Sequence, residues 1–259
     1  MNARVRAGLV LPAWSLFRRE IVRFLRQQGR VIGALGTPVL FWIVLGSGFG
    51  ASLGEGGSRP GTGYLAYFYP GMLVMVVLFT AIFSSLSIIQ DRTEGFLQGV
   101  LAAPVSRLAI VLGKVLGGAA LGLGQGALLL ALAPLAGLAP GAGQLAAACG
   151  VLALTAVALS ALGFLFAWGM DSVQGFHAVM NLLLFPMWML SGAFFPESGA
   201  TFWLRWVMRV NPLTYGLSAL RGALGQAAGE QVGVSLTVLV AFTCCALALA
   251  VWIAARPED

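Results

Sequence analysis

The charged and nucleophilic residues of this chain are too scattered to predict catalysis. Among 259 residues there are 15 Lys and Arg, 9 Asp and Glu and one histidine, His177. An active site needs a nucleophile with a base, paired carboxylates or metal ligands in one cleft. The acids lie almost entirely in predicted loops or at helix ends, and neither an HExxH nor a GxSxG motif occurs. The cysteines, Cys149, Cys244 and Cys245, and His177 lack metal-ligand spacing. We predict no catalytic, cofactor-binding or metal-binding residue in this chain.

The densest group of charges is a polar segment, residues 90–107, between two long apolar runs. Charges at this density are not stable in hydrocarbon, so the segment is predicted to lie outside the bilayer. A second, shorter polar break at 169–175 contains Asp171. The charged residues of the polar segment are Asp91, Arg92, Glu94 and Arg107.

Composition indicates a membrane protein. The chain is 59% hydrophobic and 9% charged, with a mean hydropathy of +0.92, whereas soluble domains carry roughly 25% charged residues. A net charge of +6 could indicate nucleic-acid binding, but the basic residues are better explained by the side of the membrane on which they lie. We therefore predict the lipid bilayer, and not nucleic acid, as a partner.

Long runs without charge predict six membrane-spanning helices and an all-α membrane protein. Residues 115–170 carry no charge and would extend about 84 Å as one helix, whereas the hydrocarbon is about 30 Å thick. Pro134 and the glycines and proline of 138–143 are predicted to turn the chain back. The predicted spans are 31–49, 64–89, 108–133, 144–168, 176–195 and 232–255, within a transmembrane domain covering 31–255.

The N-terminal segment, 1–30, is predicted to contain an amphipathic helix over 14–30. Helical periodicity places aromatic and aliphatic residues on one face and arginines on the other. We expect this helix to lie in the membrane surface with its basic face toward water; a solvated helix of a small cytosolic cap is the alternative. The apolar face comprises Trp14, Phe17, Ile21, Phe24, Leu25 and Gln28, and the basic face Arg19, Arg23, Arg26 and Arg30.

Basic residues predict the orientation. With both termini in the cytoplasm, including the tail 256–259, Arg4, Arg6 and nine further basic residues are inside, against four outside, which agrees with the positive-inside bias. The polar segment and Asp171 are then cytosolic, and the loop 50–63, with Glu55, is external. The four outside are Arg59, Arg205, Arg209 and Arg221.

Lys114 is the only charge within a predicted span, and it is close enough to the cytosolic end to extend its ammonium to the surface. An ion-coupled carrier is disfavoured accordingly. Gly113-Lys114 is followed by Val115 in an apolar helix, so it does not form a phosphate-binding loop. Energy from ATP would have to come through another chain. Glycine pairs around Lys114 permit close helix contact but do not by themselves predict a dimer interface. These pairs are Gly113/Gly117, Gly118/Gly122 and Gly122/Gly126.

Two groups of motifs together are characteristic of one protein family. The first is Asp91-Arg92-Thr93-Glu94-Gly95 followed by Leu101-Ala102-Ala103-Pro104-Val105-Ser106-Arg107. The second is Ser191-Gly192-Ala193-Phe194-Phe195-Pro196 and Asn211-Pro212-Leu213-Thr214-Tyr215, with Arg221 beyond. These motifs resemble the membrane subunit of type-two ABC exporters, and the resemblance extends over essentially the whole chain. Phe96 departs from it, because the family often has a threonine after the glycine.

The resemblance implies a half-transporter that assembles with a second copy of itself or a similar permease and with two separate ATPase subunits. ATP and Mg would bind on those partners. Residues 90–99 of the polar segment would act as a coupling helix docked on an ATPase, with Arg92 and Glu94 forming charge pairs and Phe96 and Leu97 an apolar anchor. A solvated turn is the alternative. The predicted coupling residues are Asp91, Arg92, Glu94, Phe96, Leu97 and Asp171.

The same resemblance implies a translocation path and an outer gate. Short helices in 197–231 would re-enter the outer leaflet and close the exit, with Phe202, Trp203, Trp206 and Tyr215 at the gate. The first and fifth spans would meet the second permease. Polar groups of two spans would line the path, although interhelical hydrogen bonding is equally compatible with them. These groups are Thr80, Ser84, Ser85, Ser87 and Asn181.

The function predicted from the sequence is ATP-driven export from a cell inner membrane. The expected substrate is amphipathic or lipid-linked, such as a drug, a lipid or a glycan. Two alternatives remain at this point: an ion-coupled carrier, and a membrane scaffold that transports nothing.

Overall fold

The computed structural model describes residues 8–52, 63–226 and 229–256 of the chain. Arg4, Arg6, Glu55, Arg59 and residues 257–259 lie outside the described ranges. Within those ranges the structure is helical, and the only β-type pairing is an isolated bridge between Gly8 and Val105. The α-helices are α1 (Val10–Arg26), α2 (Gln28–Ser52), α3 (Tyr64–Ser84), α4 (Leu86–Thr93), α5 (Phe96–Ala102), α6 (Arg107–Leu130), α7 (Ala142–Trp168), α8 (Val173–Trp188), α9 (Phe202–Val210), α10 (Pro212–Ala223) and α11 (Gly229–Ala255).

The prediction of six spans is confirmed. Six stretches are long and apolar enough to cross a membrane. The second is longer than predicted, because α4 continues α3 as far as Thr93 after a bend at Ser85. The start of the polar segment is therefore part of a spanning helix. The third ends at Leu130, and Ala133–Ala136, which contains Pro134, forms a short 3-10 turn, since proline cannot continue the helix without losing a hydrogen bond. The remaining spans are Val31–Gly48, Ala142–Trp168, Val173–Ala193 and Gln231–Ala255.

Helix α3 forms the centre of the bundle. The apolar window of its span is 89% buried, and it packs against α2, α6 and α7. Tyr69 is fully buried and donates to the carbonyl of Leu129 at 2.9 Å. By contrast, the corresponding windows are 17% buried in α2, 39% in the span of α8 and 28% in α11. These three helices therefore have wide faces available to lipid or to another subunit.

Helix α1 differs from its prediction in length and in the direction of its basic face. It ends at Arg26, Gln27 adopts non-helical dihedral angles, and a separate helix begins at Gln28. Its buried residues are Leu16, Glu20 and Phe24, spaced four apart, which face α6. The prediction that the whole basic face turns to water was wrong, because Arg19 and Arg23 point into the protein, as described below.

The fifth span breaks before its predicted end. Helix α8 passes into a π-helical turn, Met189–Ala193, in which Gly192 has a φ of +88°. Arg221 of α10 donates to the carbonyl of Gly192 at 2.9 Å and covers the ring of Tyr67 at 4.4 Å. A left-handed conformation is accessible to glycine at little cost, so the break is fixed both by sequence and by the arginine. The short helices α9 and α10 follow, as predicted for 197–231.

Candidate coupling site and membrane cleft

A buried cluster of charges joins α1, α4 and α6. The side chains of Asp91, Lys114 and Glu20 are 0%, 3% and 5% exposed. The Lys114 ammonium donates to Glu20 Oε1 at 2.5 Å, to Ser87 Oγ at 3.1 Å and to Asp91 Oδ2. Buried charges are tolerated when they are paired and hydrogen-bonded, and here one lysine is shared by two carboxylates.

Two arginines of α1 complete the cluster. Arg19 donates through both terminal nitrogens to the two carboxylate oxygens of Asp91, at 2.7 Å each, and Arg23 donates to Asp91 Oδ1 at 2.9 Å. The hydrogen bond to Asp91 raises the pKa of the Arg19 guanidinium, against the opposing effect of its partial burial. Planar bidentate pairing fixes orientation as well as distance. Asp91 therefore holds α1 in a defined register against α4.

Close contact between α1 and α6 brings Glu20 to Lys114. A Cβ atom on Gly113 would lie 2.6 Å from Leu16 Cβ, and one on Gly117 would lie 2.8 Å from Glu20 Cβ. The Gly113/Gly117 pair therefore forms the surface on which α1 of the same chain packs. The sequence interpretation missed one signal. Glu20 lies four residues from both Leu16 and Phe24, on the same face of α1. A carboxylate on an apolar face requires a buried cation, and Lys114 is that cation.

Arg92 connects the polar segment to the second polar break. It donates to the carbonyls of Trp168 and Met170 at 2.7 and 3.3 Å, and to Asp171 Oδ1 at 3.1 Å. Two of these acceptors are at the C-terminal end of α7, where carbonyls have no helical partner and a cation is favourable. Arg92 is therefore directed inward and ties α4 to the start of α8.

Replacing Arg92 with glutamine is expected to accelerate amide hydrogen exchange at 168–175 by at least tenfold. The lost charged hydrogen bonds each contribute about 1.5–3 kcal/mol, and the local opening free energy falls accordingly. Hydrogen exchange with mass spectrometry checks this. Arg205→Gln removes an exposed arginine elsewhere and serves as the control. If 168–175 is equally protected in both variants, the hydrogen bonds of Arg92 do not stabilise this segment.

The six predicted coupling residues divide into exposed and buried sets. Glu94 and Asp171 have side chains 59% and 87% exposed, and Phe96 is 38% exposed, with the Arg19 guanidinium 3.7 Å above its ring. Gly95, at a φ of +77°, makes the turn between α4 and α5 on which Glu94 and Phe96 lie. Asp91 and Leu97 are 0% and 3% exposed, so they have almost no surface with which to contact another subunit, and Arg92 is 20% exposed. Glu94, Phe96 and Asp171 are the exposed members.

A cleft of about 440 Å³ lies between α2, α3 and α8. Its lining is mostly apolar, with a few hydroxyl, amide and imidazole groups. Of the predicted path residues, Thr80 and Ser84 line it. Thr80 also donates to Gln125 Oε1, and Ser84 to the carbonyl of Ala81 at 2.6 Å. The lining residues include Phe24, Gln27, Thr37, Met75, Phe79, Phe83, Gln90 and His177.

The structure does not bring the other three predicted path residues into the cleft lining. Ser85 is 6% exposed and packs against Gly163. Ser87 accepts from Lys114 in the charge cluster. Asn181 is on an exposed face of α8. Among the residues that the structure describes, no three His, Cys, Asp or Glu side chains meet as a metal site.

At the opposite end of the bundle, α9 presents the predicted gate aromatics outward. Phe202, Trp203 and Trp206 are 74%, 64% and 54% exposed, and Tyr215 donates to the carbonyl of Arg209 at 2.7 Å. An apolar groove of about 590 Å³ separates α8 from α9, with Trp206 in its wall. This exposure suits an interfacial position of α9, since indole and phenyl rings favour that depth.

Comparison with known proteins identifies the family. The family model described as ABC-2 type transporter matches residues 13–225. The chain is 26% identical over 245 residues to Nodulation protein J of Sinorhizobium fredii, which covers 92% of each protein. It is 27% identical over 214 residues to the Inner membrane transport permease YadH of Escherichia coli, with 82% of each covered. It is 28% identical over 211 residues to the Putative transport permease ycf38 of Cyanophora paradoxa, covering 80% of this chain and 71% of that protein.

The matched region runs from α1 to the end of α10 and so includes the charge cluster, the cleft and the gate aromatics. Six apolar helices and the similarity to an inner membrane permease support a multi-pass inner membrane protein. The family implies partnership with ABC ATPase subunits. This chain belongs to the ABC-2 type transporter family, as a membrane-spanning permease subunit.

Proposed function

We propose that this chain forms the translocation path of an ATP-driven exporter and that separate ATPase subunits dock on the surface formed by Glu94, Phe96 and Asp171. The observation that carries the proposal is the buried cluster around Asp91. It fixes the polar segment rigidly to two other helices while leaving an acidic and aromatic surface exposed. A solvated turn would not need three ion pairs on one fully buried carboxylate. Asp91 and Leu97 act from behind this surface by holding it in place.

The three walls of the cleft are each tied to the docking surface. Helix α3 continues into α4. Helix α2 follows α1 after Gln27, and α1 is bound to Asp91 by Arg19 and Arg23. Helix α8 begins just after Asp171, which Arg92 holds. A displacement of the docking surface by an ATPase would therefore move all three walls, and the cleft would change its width.

The lining of the cleft suits an amphipathic or lipid-linked substrate: a drug, a lipid or a glycan. Aromatic and aliphatic groups dominate, and its polar members, such as Gln27, Gln90 and Thr37, are uncharged hydrogen-bonding groups. Pockets of this composition bind an apolar body and orient it through a few polar contacts. Export would place both termini and the ATPases in the cytoplasm, with α9 and α10 closing the exit in the outer leaflet.

The assembly that we propose has two permeases and two ATPase subunits, with ATP and Mg bound on the latter. The second permease is another copy of this chain or a similar one. The wide exposed faces of α2 and α8 flank the cleft. Pairing of these faces would enclose the cleft and remove it from lipid.

The test is co-purification of the tagged chain in mild detergent with its ATPase. Glu94→Arg is expected to reduce the recovered ATPase at least tenfold, because the reversal turns an attractive charge contact into a like-charge contact, which costs several kcal/mol, while the permease itself stays folded. Glu197→Arg reverses an acid at the other end of the bundle and serves as the control. Equal recovery of ATPase with both variants would remove Glu94 from the docking surface. Absence of any ATPase with the unmodified chain would favour a carrier or a scaffold.

A further inference from the structure

The outward face of α1 carries two arginines that the charge cluster does not use. At about 100° per residue, Arg18 lies within a stripe of exposed apolar side chains and Arg26 lies at its edge. Both arginines are exposed, and in the ranges that the structure describes neither forms an ion pair. Arg19 and Arg23, on the adjoining face, are both bound to Asp91. The stripe includes Val10, Leu11, Trp14 and Leu25, which are 78%, 79%, 61% and 59% exposed.

Helix α1 lies beside the first turns of a spanning helix. Its Leu16 and Glu20 pack on Gly113 and Gly117 of α6. Its C-terminal end is separated by Gln27 alone from α2, whose apolar window begins at Val31. The C-terminal end of α1 therefore adjoins the start of a span, and headgroups meet acyl chains where a span begins.

We propose that this face is a binding site for anionic phospholipid. The apolar stripe would enter the acyl boundary, and Arg18 and Arg26 would hold phosphate groups of neighbouring headgroups. Guanidinium matches phosphate geometry through paired hydrogen bonds, and each cation near an anionic surface strengthens binding by about fivefold. Trp14, stacked on Phe17 at 5.3 Å, is of the type that anchors helices at this depth. The site does not include Glu94, Phe96 or Asp171, the residues of the proposed ATPase-docking surface.

The test measures lipid contact at α1 itself. The full chain is reconstituted in phosphatidylcholine vesicles containing some phosphatidylglycerol, with a photoactivatable analogue of either lipid. Mass spectrometry then gives the ratio of phosphatidylglycerol to phosphatidylcholine adducts on the peptide that contains residues 10–26. We expect this adduct ratio to exceed the ratio of the two lipids in the vesicles. In the double variant Arg18→Gln/Arg26→Gln the adduct ratio should fall by about fivefold for each arginine removed. Added salt should lower it as well.

Two further variants make the result specific. Arg18→Lys/Arg26→Lys keeps both charges and should retain most of the preference. Arg205→Gln/Arg256→Gln removes the same number of exposed charges elsewhere and should leave the ratio at α1 unchanged. An equal ratio in the glutamine variant and the original chain overturns the proposal, as does a lack of adducts on α1. Loss of a co-purifying ATPase in the glutamine variant, with the ratio unchanged, would assign the face to a protein partner instead.

Discussion

Replacing Lys114 with methionine is expected to lower the free energy of unfolding by about 3–5 kcal/mol, because the change leaves two buried carboxylates without their shared cation. Glu20 would be left without the only cation that the structure records at its carboxylate, whereas Asp91 would keep Arg19 and Arg23. Methionine fills a similar volume, so lost packing contributes little. The loss should appear as a lower midpoint of thermal unfolding, followed by tryptophan fluorescence in detergent.

The double variant Lys114→Met/Glu20→Gln gives the decisive comparison. Neutralising Glu20 removes the unpaired charge, so part of the stability lost in Lys114→Met should return. A double variant no more stable than Lys114→Met would show that Glu20 is not the partner whose charge matters. A Lys114→Met variant as stable as the original chain would show that the ion pairs of Lys114 with Glu20 and Asp91 contribute no net stability.

Gly113→Val is expected to cost about 3 kcal/mol of stability and to displace α1 from α6. The first added carbon would already lie 2.6 Å from Leu16 Cβ and 2.9 Å from the carbonyl oxygen of Ala13. A backbone atom cannot move aside as a side chain can, so the helices must separate, and overpacking of this kind costs about 1–3 kcal/mol, occasionally more. Separation would also lengthen the contact of Lys114 with Glu20. Thermal unfolding and ATPase co-purification together measure both effects.

Gly124→Val is the matched control for this change. Gly124 is on the same helix, and a Cβ there meets no atom within 4 Å. The two variants share the same change in helix propensity. If the two variants unfold at the same temperature and co-purify with the same amount of ATPase, the close packing of α1 on α6 is not important for either property.

The six spans were predictable because the sequence shows them locally. Long charge-free runs are interrupted by polar breaks, and Pro134 marks one reversal of the chain. The bend at Ser85 and the end of α1 at Gln27 were not visible, since neither residue is a strong helix breaker. Packing of α1 on α6 and of α4 near α7 decides those positions, and neither contact is encoded in local periodicity.

The charge cluster could be predicted only in part. The sequence singled out Asp91, but its partners Arg19 and Lys114 are 72 and 23 residues away, and Glu20 is 94 residues from Lys114. The sequence interpretation directed Lys114 to the membrane surface and the arginines of α1 to water, because it treated each helix alone. Burial of opposite charges in separate helices becomes visible only when the helices are placed together.

The separation of these partners along the chain has a consequence for biosynthesis. Glu20 and Asp91 are both made before Lys114, so the lysine meets two completed carboxylates when its helix enters the membrane. A lysine within an apolar helix is unfavourable, by up to about 2.5–3.5 kcal/mol at the helix centre, and these partners offset the cost for Lys114 as soon as it arises. Until α6 emerges, however, Glu20 has no cation to neutralise it at its final position. The contacts of Arg19 and Arg23 with Asp91 need only α1 and α4, whereas the contact of Glu20 with Lys114 is completed only after the third span has been synthesised.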